Sequence, residues 1–314
     1  MSLQNQIGAL AALYNDGGLK RAIRRRWNFW GRHKFQERSR GSTGLALLVA
    51  GYKPHLWPMV FPRFRRFLPT DWDVCIVVPG KKDPVLAAIA EQYGWSLLET
   101  GANKLGLAQN HAIRLHPQAE ILCKLDEDIF IAPGFLEGLL EALEKTESEK
   151  IHRPGFVAPV LNVNGFTSRL FLEALGKLEA FEARFGVLPS GCVDTPVWSN
   201  PDAAAFLWEL LTPFDEIAAR FAAAPFETSI CHHRFSIGAL LLRREVWESM
   251  GGFSVAGPGV LGAEEGDLCT WCVEHSRAML IACRVLAGHA GFQPQMGRLA
   301  PILAGRTDLL LQYE

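Results

Sequence analysis

Four short runs of almost purely apolar residues constrain this chain most. They are LALLVAGY (Leu45–Tyr52), DVCIVVPG (Asp73–Gly80), WSLLET (Trp95–Thr100) and ILCKLD (Ile121–Asp126). Each is short and lacks the polar alternation of a half-exposed strand, so each reads as a strand buried on both faces. Helical stretches separate them. Pro54–Leu68 reads as a helix whose ends Pro58 and Pro62 disturb. Asp83 caps a helix that stops near Tyr93-Gly94, and Leu107–His116 is the next. Pro133–Lys145 follows, with Phe135, Leu136, Leu139, Leu140 and Leu143 on one face. This alternation predicts an α/β fold, a mostly parallel central sheet with helices on both faces. Such sheets take ligands at the carboxyl ends of their strands.

The second half is less regular. Gly155–Phe166 reads as a strand and turn, and Leu170–Phe185 as an amphipathic helix. Phe235–Phe253 predicts a strand, a helix from about Arg244 and a Gly-Gly stop. Gly257–Leu268 is a glycine-rich loop entering a helix over Asp267–Ser276, and a strand or strand pair ends at His289. No repeat or low-complexity linker separates the halves, so residues 41–314 are expected to form one domain behind an arm at residues 1–40.

The arm is basic. From Lys20 to Arg40 the only acid is Glu37, and Trp27, Phe29, Trp30 and Phe35 lie among the Arg and Lys residues. Such a stretch either touches an anionic membrane surface, a phosphorylated acceptor or, behind these, nucleic acid, or packs its aromatics back onto the domain. The net charge of the whole chain is −1, which gives no reason to expect nucleic acid. Seven scattered cysteines, most in apolar runs, read as reduced thiols in a reducing compartment. Cys269 and Cys272 have redox-motif spacing, but they lie in a predicted helix with no second pair at zinc spacing. No secretion signal is visible and no apolar run approaches the ~20 residues of a membrane span. The expected location is cytoplasmic, with peripheral membrane contact through residues 20–40 as an option.

One stretch raises a chemical question. CKLDEDIFI (Cys123–Ile131) sets Asp126, Glu127 and Asp128 between two apolar runs, where charges need a partner. In an extended chain Asp126 and Asp128 share a face and Glu127 takes the other. Two carboxylates on one face repel, and a divalent cation removes that cost. Oxygen donors of this kind suit magnesium or manganese, which complete their shells with water and phosphate. The competing reading is an acidic turn after a strand.

Lys104–Leu143 resembles the middle of nucleotide-sugar-dependent glycosyltransferases of the GT-A fold, especially the inverting family-two enzymes. There, a glycine-containing loop and an Asn-bearing helix precede a strand ending in Asp-x-Asp. FSIGALLLRREVWESMGGFSVAGPGVLGAEEGDLCTWCVEH (residues 235–275) resembles their acceptor half, with a Gly-Ala strand, a helix, Gly-Gly-Phe and an acidic motif in that order. The resemblance covers roughly residues 45–290. It implies a metal-dependent, inverting sugar transfer from a nucleotide-sugar donor to the hydroxyl of a glycan or other acceptor. Residues 41–150 would bind the donor and residues 151–314 the acceptor.

By that resemblance Asp126 and Asp128 hold Mn2+ or Mg2+ and through it the diphosphate, with Asp126 nearer the ribose or sugar. His289 takes the place of a third metal ligand, against the ordinary reading of a structural histidine. Glu264, Glu265 and Asp267 fall at the acidic motif. Glu265 aligns with the base that removes the acceptor proton, while Asp267 caps the helix or binds acceptor. Tyr52, Asp83, Lys104 and Asn110 lie near the expected nucleotide site. The chain departs from the family after the second strand, where Val78–Asp83 (VPGKKD) replaces an acidic D-D/N-G-S. Asp83 would substitute there, with Lys81 and Lys82 either reaching phosphate or simply solvated. Trp198 is an acceptor-site candidate, and His232-His233 a weaker metal candidate. Two other readings stand beside transfer: a sugar-phosphate nucleotidyltransferase, and a non-catalytic protein of the same fold that binds a glycan or membrane surface.

Overall fold

A computed structural model describes residues 28–189, 195–255, 262–291 and 293–311. The first part of the basic stretch, Cys192 and all of the segment 256–261 lie outside the described residues. Among those described, ten strands form one sheet: β1 (His33–Gln36), β2 (Gly44–Val49), β3 (Asp73–Val78), β4 (Ser96–Thr100), β5 (Ile121–Asp126), β6 (Ile129–Phe130), β7 (Pro154–Leu161), β8 (Thr228–Ile230), β9 (Ala239–Arg243) and β10 (Ala278–His289). Their order is β1-β4-β3-β2-β5-β9-β7-β10-β6, with β8 also pairing β10.

Six of these strands, β2, β3, β4, β5, β7 and β10, run in one direction. The four others, β1, β6, β8 and β9, run against them. Every residue of β2, β3, β4 and β7 is buried. Side chains alternate faces along a strand, so burial throughout means that both faces are covered.

The cover comes from α1 (Trp57–Phe67), α2 (Pro84–Tyr93), α3 (Leu105–Leu115), α4 (Phe135–Glu149), α5 (Thr167–Ala174), α6 (Leu178–Phe185), α7 (Pro196–Ser199), α8 (Pro201–Leu210), α9 (Phe214–Ala222), α10 (Arg244–Met250), α11 (Ala263–Glu274) and α12 (Gln293–Ala304). Asp83 caps α2, accepting from the backbone N–H of Val85 and Leu86, and Gly94 ends that helix with φ 69°. The helix expected over Leu170–Phe185 is two helices, because Gly176 turns with φ 62° between α5 and α6. α11 begins at Ala263 rather than near Asp267, with Gly262 at its N-cap. Asp267 therefore lies inside the helix and does not cap it. Glu264 and Glu265 occupy the first turn, where the helix dipole favours acids. No helix among the described residues is long and apolar enough to cross a membrane.

Residues 28–40 pack onto this framework. β1 pairs antiparallel with β4, and the Asp73 carboxylate accepts from the backbone N–H of Arg40, Gly41 and Ser42. Asn110, fully buried in α3, fastens the same stretch. Its amide donates to Asn28 O at 3.0 Å and Phe253 O at 2.9 Å, and its oxygen accepts from Trp247 Nε1 and Phe253 N. Replacing Asn110 with Ala leaves these groups buried without partners. We expect a loss of about 2–3 kcal/mol in urea unfolding with an unchanged slope. A loss within ~0.5 kcal/mol, as at an ordinary surface position, would contradict this role.

Candidate active site

β5 ends on Asp126, and the neighbouring strands decide what surrounds it. β9 runs antiparallel with Leu125 opposite Ala239, so Gly238 comes beside Asp126 and accepts its N–H at 2.9 Å. On the other side of the turn, β6 sets Ile129 opposite His289. Ala290 N then donates to the Asp128 carbonyl at 3.1 Å. A reversed strand begins where its neighbours end. For that reason the end of β5, the entry to β9 and the end of β10 meet at one edge of the sheet, the carboxyl edge of most strands.

Asp128 and His289 are buried, with His289 Nε2 3.5 Å from Asp128 Oδ2. His289 Nδ1 lies 2.6 Å from Val163 O. A carbonyl only accepts, so that contact puts a proton on Nδ1 and, in the neutral ring, leaves the Nε2 lone pair for the site. Asn162 Oδ1 accepts from His289 N at 2.8 Å and fixes the strand end. A Cβ on Gly238 would sit 3.6 Å from His289 Nε2 and 3.8 Å from Asp126 Oδ2. Glycine thus keeps clear the space between these donors.

Two ammonium groups answer the two carboxylates. Lys124, buried in β5 and two residues before Asp126, donates to Asp126 Oδ2 at 2.7 Å and to Ile237 O. Lys53, from the loop after β2, pairs with Asp128 Oδ2 and donates to Gly291 O at 2.7 Å. Burial pushes the Asp126 carboxyl up to about 6, with the charge of Asp128 adding to the rise and Lys124 opposing it. Burial also pushes Asp128 up, but the charge of His289 when its ring is protonated, with those of Lys53 and Lys124, outweighs it and holds that carboxyl below its ordinary value.

As the side chains stand, no three His, Cys, Asp or Glu residues among those described form a ready metal site. The donor chemistry nonetheless suits a small hard cation: two carboxylates, one imidazole nitrogen and a glycine floor. What lies against Asp128 is the ammonium of Lys53. The residues fit a divalent ion once that ammonium moves.

Glu127 has a different task. Its oxygens accept from Gly51 N at 2.9 Å, Tyr52 N at 2.8 Å and Trp57 Nε1 at 2.6 Å. The middle acid thus holds the loop that carries Lys53, and Gly51 with φ 142° allows the backbone to bend over it.

At the start of α11 the two glutamates differ. Glu265 pairs with Arg234 Nε at 2.8 Å and accepts from Ile237 N at 3.1 Å, so both oxygens are engaged. Glu264 is buried, and burial pushes its carboxyl above the ordinary value while its own backbone N–H and Lys124 oppose the rise. Asp267 is partly buried, one turn further along.

The other sequence candidates scatter. Tyr52 is half exposed, its hydroxyl donating to Pro79 O and its ring 5.2 Å from Lys81 Nζ. Asp83 caps α2 and pairs with Lys81 at 3.2 Å, and Lys104 stands at the N-cap of α3. Asn110 has its hydrogen bonds within the protein interior, as described above. Trp198 meets the His289 ring edge-on at 6.2 Å between centroids. Trp208 is a core residue donating to His289 O at 3.0 Å, and His232 and His233 are exposed. Sequence reasoning missed Lys53, Lys124 and Arg234. Lys124 was within reach of it, because a strand places residue i−2 on the same face as Asp126.

No family model and no curated protein matches this chain. Among solved structures it is similar to GalNAc-T7 with UDP, GalNAc and Mn2+, at 12% identity and TM-score 0.49. That match covers 80% of this chain and 44% of the other, so the chain spans less than half of that protein's length. It is also similar to the mannosyltransferase PcManGT from Pyrobaculum calidifontis in complex with GDP-Man and Mn2+, at 14% identity and TM-score 0.48, covering 92% and 69% of the two chains.

Glu127→Ala separates the loop anchor from the cluster of Asp126, Asp128 and His289. We expect faster hydrogen exchange at the Gly51 and Tyr52 amides and a stability loss of about 2–3 kcal/mol, because three donors lose one acceptor. Unchanged exchange at both amides would contradict the assignment.

Proposed function

We propose that this chain is a glycosyltransferase of the GT-A fold that moves a sugar from a nucleotide-sugar to an acceptor hydroxyl with inversion. The observation that carries the proposal is the meeting of Asp126 and His289 across Gly238 at the carboxyl edge of the sheet, with Asp128 against His289 and the buried Glu264 within the field of Lys124. The ordered motifs of the sequence support it.

Asp126, Asp128 and the Nε2 of His289 would hold Mn2+ or Mg2+. A bound ion there supplies Lewis-acid neutralisation of charge on a departing diphosphate. Lys124 keeps Asp126 in place and adds positive charge on the same side. Tyr52, Asp83, Lys81 and Lys104 line the neighbouring strand ends and loops as donor-side candidates, and Trp198 beside His289 is an acceptor-side candidate.

The transfer needs a carboxylate that takes the acceptor's proton as its oxygen bonds to the anomeric carbon and the bond from that carbon to the diphosphate oxygen breaks. A buried carboxyl with a raised proton affinity suits that work near neutral pH. Glu264 therefore takes the proton in this reading, and Glu265, fixed by Arg234 and Ile237 N, positions the turn. The resemblance alone gave that role to Glu265, and the two variants decide between them.

The test is turnover of UDP- and GDP-sugars with Mn2+ and after its removal by chelation. We expect turnover to require the metal, Asp128→Ala to abolish it, and Glu264→Gln to slow it by about 100-fold or more, the usual effect of losing a general base. Glu265→Gln should cost less. Full turnover by Asp128→Ala would overturn the proposal, and a larger loss in Glu265→Gln would return the proton to Glu265.

A further inference from the structure

We infer that Lys53 is a built-in competitor for the cation position: its ammonium holds Asp128 until a divalent ion displaces it. This rests on the metal-binding reading above and adds a residue to it. The Asp128 oxygen that pairs with Lys53 is Oδ2, the same atom that lies 3.5 Å from His289 Nε2. A metal bound to that oxygen and to His289 would stand within contact distance of the ammonium. Two positive centres do not share one carboxylate oxygen at that range without strong repulsion.

Of the two lysines at the cluster, only Lys53 has a way out. Its side chain is 22% exposed and hangs from a loop, whereas that of Lys124 is 3% exposed and rises from the middle of a strand. The loop itself stays fixed when the side chain leaves, because Glu127 holds the backbone of Gly51 and Tyr52. Release would also break the contact from Lys53 to Gly291 O, and so unfasten the loop after β2 from the segment after β10.

With both ammonium groups in place, each carboxylate already has its counter-charge. A dication arriving alone gains little from such a site. A donor diphosphate arriving with it offers the freed ammonium a new anion. Metal and diphosphate then favour one another's entry, and the site resists loading by metal alone.

Manganese binding to the full chain without nucleotide tests this, read from the free-ion signal in electron paramagnetic resonance. Lys53→Met and Lys53→Gln should each bind Mn2+ about tenfold tighter than the wild type, a shift of ~1.4 kcal/mol. Lys53→Arg, which keeps the charge, should bind as the wild type does. Asp128→Asn should bind weakly whether or not Lys53 is present. Equal or weaker binding by both uncharged variants, with measurable wild-type binding, would overturn the competitor role and leave the metal site standing. No binding by any variant would overturn both.

Discussion

Two carboxylate–ammonium pairs at the end of one strand organise everything else at this edge of the protein. Asp126 with Lys124 and Asp128 with Lys53 gather four charges at this edge, two of them, Lys124 and Asp128, buried and the other two partly open to solvent. Burial raises the proton affinity of both acids, and Asp126 is pushed up to about 6 even with Lys124 opposing the rise. The cluster is therefore a place where positive charge is required, whether an ammonium or a bound ion supplies it.

The fold delivers this cluster through strand direction. Four adjacent strands, β4-β3-β2-β5, run together and end at one edge. The reversed β9 then brings in its first residues at that same edge, which places Gly238 against Asp126. The short pairing of β6 with β10 draws His289 alongside Asp128. Three segments distant in sequence meet because one strand is reversed and another is only two residues long. Glu127, between the two aspartates, ties the loop after β2 to the same point.

Much of this was legible in the sequence. The continuous apolar runs gave the buried strands because burial on both faces leaves no polar alternation to see. The Asp83 cap and the Gly94 stop are local chemistry and needed no tertiary information. The unusual position of Asp126 and Asp128 stood out because acids between apolar runs need partners. Other features were hidden for physical reasons. Lys53 is separated from Asp128 by 75 residues, and only the closing of the sheet brings them together. The start of α11 is hidden because Gly262 sits in a glycine-rich run that reads as loop and Asp267 has the chemistry of a cap, whereas Gly262, with φ 71°, opens the helix five residues before Asp267. Asn110 resembled a ligand-binding residue by motif, yet its environment is the interior between α3, α10 and the packed stretch that contains Asn28. A motif gives residue type and order; it does not say which side of a helix faces the ligand.

In the function proposed above, this edge of the sheet exchanges an internal ammonium for a divalent ion that carries a diphosphate. A crystal grown with Mn2+ and a nucleoside diphosphate, measured at a wavelength where manganese scatters anomalously, addresses it directly. An anomalous peak is expected between the Asp126 and Asp128 carboxylates and His289 Nε2, with the Lys53 side chain turned away from Asp128. A peak elsewhere, or none with Lys53 still on Asp128, would contradict it.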